Sequence, residues 1–229
     1  MPCMCKKVVV FDLDDTLYKE VDFLKSGYRK VAELVKKRFG IDAGEVYGSL
    51  LSWYYKKENP FVLLNETFGL DYPIEDYLNV YRCHQPNISL SEDVIEMLNR
   101  LKELGVLMSI ITDGRTETQR NKIEALNLSE WVSPELVLIN EDKKYFKPNH
   151  WSFDRMMLKC YQKFPNSKFS FYYVGDNTEK DFQAPNELGW TSICLEDDGR
   201  NIHKQSFEIR KEYLPQYKVK SLRDILTLI

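Results

Sequence analysis

Asp12, Asp14 and Asp15 stand directly after an apolar run in the stretch VVVFDLDDTLY, residues Val8 to Tyr18. Carboxylates packed that closely repel one another, and taking one out of water is costly unless a cation or hydrogen-bond donors offset its charge. Two acids at i and i+2 can also divide labour. If Asp12 attacks phosphorus, an aspartyl-phosphate splits one hydrolysis into two easier steps, with Asp14 protonating the leaving alcohol and later deprotonating the attacking water. Further polar residues close other apolar runs. Thr112-Asp113-Gly114 follows Val106–Ile111, the KKYFKP stretch with Lys143, Lys144 and Lys147 follows Leu136–Ile139, and Gly175-Asp176-Asn177, with Asp181 beyond, follows Phe171–Val174. Brought together, Asp12 and Asp176 can share a hard divalent cation, for which Mg²⁺ suits the oxygen ligands. Thr112 offers a hydroxyl donor, Asp113-Gly114 offers backbone N–H groups at a tight turn for an anion, and a lysine adds a point charge for a phosphoryl group.

Such a site needs elements that deliver these ends to one place. The four runs just named before their polar ends, together with Ile193–Leu195, are short and lack alternation, the pattern of strands covered on both faces in a parallel sheet. Between them lie segments of helical period. SEDVIEMLNRLKELG has an N-cap candidate in Ser91, apolar residues at Val94, Ile95, Leu98, Leu101 and Leu104, and a terminating Gly105. Thr116–Leu128 and Trp151–Phe164 read as further helices, and Ser221 caps a short closing one. Strand and helix in alternation predict an α/β fold, a doubly wound, mainly parallel Rossmann-like sheet, whose ligands bind beyond the carboxyl ends of the strands. From about Tyr18 to Leu90 the rhythm breaks into long helical patterns such as VDFLKSGYRKVAELVKKRFG with no buried strand. An inserted α-helical domain is therefore expected over residues 18–88, with a discontinuous core over 1–17 and 89–229.

Bulk properties exclude several classes. A net charge of -3, from 32 Lys+Arg against 35 Asp+Glu, gives no basic excess, so neither nucleic acid nor an anionic membrane is an expected partner. No run approaches transmembrane length, and the apolar stretch Val8–Phe11 near the amino terminus is too short for a signal peptide. Five cysteines at irregular positions, Cys3, Cys5, Cys83, Cys160 and Cys194, fit reduced thiols in a cytoplasmic protein better than a disulfide framework. Cys3-Met4-Cys5 looks like half of a metal site, but no second Cys/His pair at ligand spacing accompanies it.

Taken in order, FDLDDTL, IITDG, KP and GDNTEKD resemble the four motifs of the haloacid dehalogenase-like (HAD) hydrolase superfamily, in its phosphatase branch with a helical cap inserted after the first motif. The resemblance covers the core from end to end. It implies Asp12 as nucleophile and Mg²⁺ ligand, and Asp14 as general acid/base whose backbone carbonyl also reaches the metal. Thr112 would bind phosphoryl oxygens, and so would Lys147 while holding Asp12 in place. Lys147 is preferred over Lys143 and Lys144 because Pro148 and a helix follow it. Asp176 would be the second carboxylate on Mg²⁺, with Asn177 beside it in the supporting layer. Asp181 would orient Lys147 or a metal-bound water, while Asp15 does not touch substrate and Thr16 braces the loop. An acid at position 14 points to phosphate esters, since dehalogenases lack one there. His150 replaces the second proline of the family's KPxP, and Ala184 replaces a frequent glycine.

The expected function is a Mg²⁺-dependent phosphatase acting on a small phosphorylated metabolite, a sugar phosphate, nucleoside monophosphate or similar ester. A phosphomutase of the same superfamily and a non-catalytic phosphate-binding module are the alternatives, and the oligomeric state is not specified. Other residues have both a functional and a bland reading. His150 either enters the site or lies on the surface, and Arg115 either meets phosphate or is solvated. Arg82 and His84 are candidates for leaving-group recognition, and Lys36-Lys37-Arg38 is a solvated helix face. Trp53, Tyr54, Tyr55, Tyr72, Tyr77 and Tyr81 are core aromatics of the insert, of which one or two can close over a substrate.

Overall fold

The computed structural model describes residues 5–229; Cys3 of the Cys3-Met4-Cys5 stretch lies outside them. Six strands form one parallel sheet: β1 (Cys5–Phe11), β2 (Leu107–Asp113), β3 (Val137–Asn140), β4 (Lys168–Gly175), β5 (Thr191–Leu195) and β6 (Tyr217–Val219). Their order across the sheet is β3-β2-β1-β4-β5-β6, so the chain winds outward from β1 in one direction and then crosses back over it. The reversal lies between β1 and β4, which is where open α/β sheets form a ligand crevice. β1 is the central strand, paired with β2 and β4, and Val8, Val9, Val10 and Phe11 are all fully buried. Burial on both faces is why the run is apolar without alternation. Phe11 pairs with Ile110 and with Val174, so the chain leaves β1, β2 and β4 within three residues of one level.

Helices α5 (Glu92–Glu103), α6 (Thr116–Ala125), α7 (Trp151–Lys163) and α8 (Gln183–Glu187) connect the core strands. Ser91 stands at the α5 N-cap but makes no side-chain cap bond, and Gly105 closes that segment at φ 69. α6 ends earlier than its sequence period implies. Asn127 adopts the left-handed region at φ 52 and Leu128–Glu130 continues as a 3-10 turn. Ser221 caps the closing segment with a capping box, and Leu222–Thr227 is 3-10 rather than α-helical. Strand β6 is absent from the sequence reading because YKV is three residues long and half polar.

Between β1 and α5 lie four helices, α1 (Glu20–Phe39), α2 (Ala43–Tyr55), α3 (Pro60–Phe68) and α4 (Ile74–Cys83). Gly40 ends α1 in the left-handed region at φ 76, Asp42 caps α2 through Gly44 N and Glu45 N, and Asn59 caps α3. These helices enclose an apolar cluster of their own, including Tyr28, Val31, Leu50, Leu64 and Tyr77, distinct from the cluster around the sheet. Tyr72 and Tyr77 are buried in it, whereas Tyr55 faces solvent. Among the described residues no helix is long and apolar enough to cross a membrane.

Candidate active site

Asp12 leaves β1 with its N–H donated to Val174 O at 2.8 Å, which holds it against the end of β4. Its Oδ1 lies 2.8 Å from Lys147 Nζ, while Oδ2 carries no hydrogen bond among the described residues. Burial pushes the Asp12 carboxyl up to about 6, with Asp181 adding to the rise and Lys147 opposing it. Lys147 is wholly buried and donates to three oxygens, Asp12 Oδ1, Asp181 Oδ1 and the Tyr173 hydroxyl, each at 2.8 Å. Its backbone N–H donates to the Asp113 carboxylate at 3.2 Å, and the Lys147-Pro148 peptide is cis.

Asp181 also accepts from Asp176 N at 3.1 Å and Asn177 N at 2.8 Å. Burial raises its carboxyl, but Lys147, Lys180 and these donors outweigh that and hold it below the usual range. Among the described residues no cation pairs with Asp176, which accepts from Asn201 Nδ2 at 2.9 Å. Burial, then the Asp181 and Asp12 carboxylates, push it up to about 9. Carboxylate oxygens of Asp12, Asp176 and Asp181 lie within 4.8 Å of one another. A buried all-oxygen donor set with an acid displaced so far lacks positive charge, and it fits a hard divalent cation. Because Asp181 is committed to Lys147 and two amides, Asp12 and Asp176 would hold the ion.

Asp14 points elsewhere. It accepts from Lys122 Nζ at 2.7 Å, from Gln119 Nε2 at 2.9 Å and from the Tyr18 hydroxyl. Burial raises the Asp14 carboxyl, yet Lys122 and the three hydrogen bonds bring it below its ordinary value. Lys122 also lies 3.8 Å from Glu20 in the first turn of α1 and over the Phe23 ring, 4.5 Å from its centroid. Burial and the neighbouring Asp14 push Glu20 up to about 8 against the pull of Lys122. Asp15 sits at φ 54 and accepts from Glu20 N and Ile202 N, both at 2.8 Å, so its oxygens are spent on tying the loop to α1 and to the segment after β5. The Thr16 hydroxyl is buried with no hydrogen-bond partner among the described residues, so it does not brace the loop by a hydrogen bond to them.

At the end of β2 the buried Thr112 Oγ1 accepts from Gln119 Nε2 at 2.6 Å, which leaves the hydroxyl proton free to be donated. At Asp113-Gly114, where an anion nest is expected, the Gly114 N–H is engaged by the neighbouring strand. Gly114 N donates to Asn140 O at 2.8 Å, and the Asp113 carboxylate is held by Asn140 Nδ2 at 2.8 Å. Gly114 has φ 143, a backbone conformation that favours glycine, and a Cβ there would meet Gln119 Cγ and Cδ at 3.4 Å, close to ordinary contact. Asn177 uses its side chain locally, accepting from Glu179 N at 3.0 Å.

The remaining candidates lie away from this cluster. His150 pairs with Glu187 at the surface, Lys144 pairs with Asp142, and Arg115 is exposed at the start of α6. Arg82 faces Glu75, and His84 is buried against Tyr81 O and the Ser26 hydroxyl. A cavity of about 180 Å³ opens over Asp12, lined also by Asp14, Asp15, Glu20, Asp113, Phe146, Asp176, Asn177, Lys180 and His203. None of the insert's aromatics considered above lines it. Sequence reasoning missed Gln119, Lys122, Tyr173, Lys180 and Asn201. Gln119 and Lys122 share one face of α6 at i, i+3 spacing, and they are the buried residues of that polar helix. Asn201 lies in the long segment between β5 and β6, which carries no sequence pattern of its own.

A family model described as haloacid dehalogenase-like hydrolase matches residues 9–195. A glyceraldehyde 3-phosphate phosphatase of Methanocaldococcus jannaschii is 24% identical over 97% of this chain and 96% of its own length. Among solved structures, a HAD phosphatase from Thermococcus onnurineus superposes with a TM-score of 0.59 at 19% identity, covering 97% of each chain. A 2-haloacid dehalogenase from Pseudomonas syringae pv. Tomato superposes with a TM-score of 0.60 at 17% identity, covering 98% of each. These likenesses establish the fold. Since a phosphatase and a dehalogenase overlay equally well, the chemistry must be argued from side chains.

Proposed function

The chain belongs to the haloacid dehalogenase-like hydrolases, and from that footing we propose that it is a Mg²⁺-dependent phosphatase hydrolysing a small phosphorylated metabolite through an aspartyl-phosphate on Asp12. The observation that carries this reading is the pairing of Asp12, clamped on one oxygen by Lys147 and free on the other, with a second carboxylate two residues on at Asp14. Asp12 Oδ2 attacks phosphorus as the bond to the leaving oxygen breaks, and Asp14, held ionised in the resting site by its donors, passes to that oxygen a proton taken up with the substrate. Asp14 then takes a proton from the water that cleaves the aspartyl-phosphate. Lys147 keeps Asp12 oriented, and the Thr112 hydroxyl, its oxygen already fixed by Gln119, donates to a phosphoryl oxygen. Mg²⁺, when bound by Asp12 and Asp176, supplies charge neutralisation for the phosphoryl oxygens.

Residues 18–88 serve as the cap that covers this chemistry. The cavity of about 180 Å³ suits a compact ester, of the size of the triose phosphate named for the Methanocaldococcus jannaschii relative. Four cysteines carry free thiols, which supports a reducing compartment, the cytoplasm. Phosphate release from an aryl phosphate, measured with Mg²⁺ and with chelator, tests the reading. Chelator and Asp12→Asn are each expected to abolish release while the fold persists. Normal turnover by Asp12→Asn would sink the mechanism.

A further inference from the structure

We propose that Asn201, in the segment between β5 and β6, is a positioning residue for the metal ligand Asp176 and ties that ligand to the start of the insert through Lys19, an inference that rests on the Mg²⁺-dependent reading above. Asn201 Nδ2 donates to Asp176 Oδ2 at 2.9 Å, and Asn201 Oδ1 accepts from Lys19 Nζ at 2.7 Å. An ammonium group only donates, and a carboxylate ionised on a cation only accepts. A side-chain amide, with a donor and an acceptor in one plane, links the two in a single orientation. Asp176 Oδ1 carries no hydrogen bond among the described residues, so the bond to Oδ2 leaves it for the cation.

Asp176 is gripped a second time by the same segment. Gln205 Nε2 donates to the Asp176 backbone oxygen at 2.8 Å and to Leu195 O at 2.7 Å, while Gln205 Oε1 accepts from Asp197 N at 3.0 Å. Gln205 thus fixes the main chain of the ligand and Asn201 fixes its carboxylate. Partners of this kind orient a ligand and set the affinity of its metal.

The residues around Asn201 fasten it to the chain entering the insert. Lys19 is the N-cap residue of α1, and its ammonium also lies 3.1 Å from Asp198. Ile202 packs against the apolar cluster of the insert, and its N–H donates to Asp15 at 2.8 Å. Asp197 Oδ1 accepts from Gly199 N and Asn201 N, which sets the turn that presents the amide. The placement of α1 and the binding of the cation are therefore linked, and such a linkage acts in both directions.

Calorimetric titration of Mg²⁺ into wild-type protein, Asn201→Ala, Lys19→Met and Arg200→Ala, with each fold checked by circular dichroism, tests this. Loss of an outer partner predicts Mg²⁺ affinity weakened roughly ten- to hundred-fold in Asn201→Ala. Lys19→Met keeps the amide but frees its other end, so a smaller weakening of about three- to ten-fold is expected. Arg200→Ala removes the exposed pair with Asp198 and leaves the amide in place, and it should stay within about two-fold of wild type. Weakening below about five-fold in folded Asn201→Ala, or an equal weakening in Arg200→Ala, would overturn the inference and leave the phosphatase reading standing. Unchanged affinity in Lys19→Met would overturn the tie to the insert. Should Asn201→Ala not fold, a crystal structure of wild-type protein with Mn²⁺ decides. Asn201 Nδ2 on Asp176 Oδ2 with the ion on Oδ1 supports the assignment, and an ion on Oδ2 with Asn201 displaced refutes it. Wild-type protein that binds no divalent cation would bring down the Mg²⁺-dependent reading, and this inference with it.

Discussion

Lys147 and Lys122 each clasp an aspartate of the Asp12-Leu13-Asp14 stretch, but they are built into different parts of the molecule. Every partner of Lys147 comes from the core: Asp12 at the end of β1, Tyr173 within β4, Asp181 in the turn beyond β4, and Asp113 at the end of β2 through the backbone. Lys122 comes from α6 and bridges Asp14 to the first turns of α1, where it meets Glu20 and the Phe23 ring. Asp12 is thus held by the core alone, whereas Asp14 is held across the junction between the sheet and α1. A shift of α1 would disturb Asp14 and spare Asp12.

Breaking the core clasp should have the largest effect. Lys147→Met leaves Asp12 and Asp181 buried and unpaired, and removing one member of a buried ionic cluster costs about 3–5 kcal/mol. Urea unfolding measures this, and a loss below about 1 kcal/mol would mean that the clasp is not rigid. Next comes Gln119→Glu, nearly isosteric with the wild-type side chain. It sets a carboxylate against Asp14 and takes the amide donor away from Thr112, so kcat should fall on the order of a hundred-fold with the fold intact. Unchanged kcat would show that neither Thr112 nor Asp14 depends on that amide.

A smaller stability change is expected from Lys122→Met, about 1–3 kcal/mol, because Asp14 retains 18% side-chain exposure and can be hydrated. Its catalytic loss should exceed what its stability loss suggests. Equal unfolding costs for the two methionine variants would erase the distinction drawn between the clasps. At the low end lies His150→Ala. Its pairing with Glu187 is at the surface, so stability should change by less than about 0.5 kcal/mol and activity should not change. A loss of activity there would return His150 to the site.

The parts of the fold that could be read in advance are those whose physics is local. Val8, Val9, Val10 and Phe11 are consecutive apolar residues because β1 is covered on both faces, and the acids that follow are conspicuous because they end that run. Strand β6 and the long segment ahead of it escaped notice because their residues are half exposed and their role is made by contacts to distant loops. Asn201 holds Asp176, and Gln205 donates to Asp176 O at 2.8 Å. The engagement of the Gly114 N–H went unread for a related reason. A glycine at a strand end signals a turn, but only the neighbouring strand determines whether its N–H faces a ligand or Asn140 O.

Chain order and residue type by themselves determined the parallel α/β core, the helical insertion after the first strand and the polar residues at the strand ends, because burial on both faces and helical period leave marks over a few residues. Tertiary structure alone decided which charges meet. Lys122 reaches Asp14 from 108 positions away in the chain, and Gln119 from 105. Burial of a polar side chain is stabilised only by its partners, and when those partners lie far along the chain no local pattern records them.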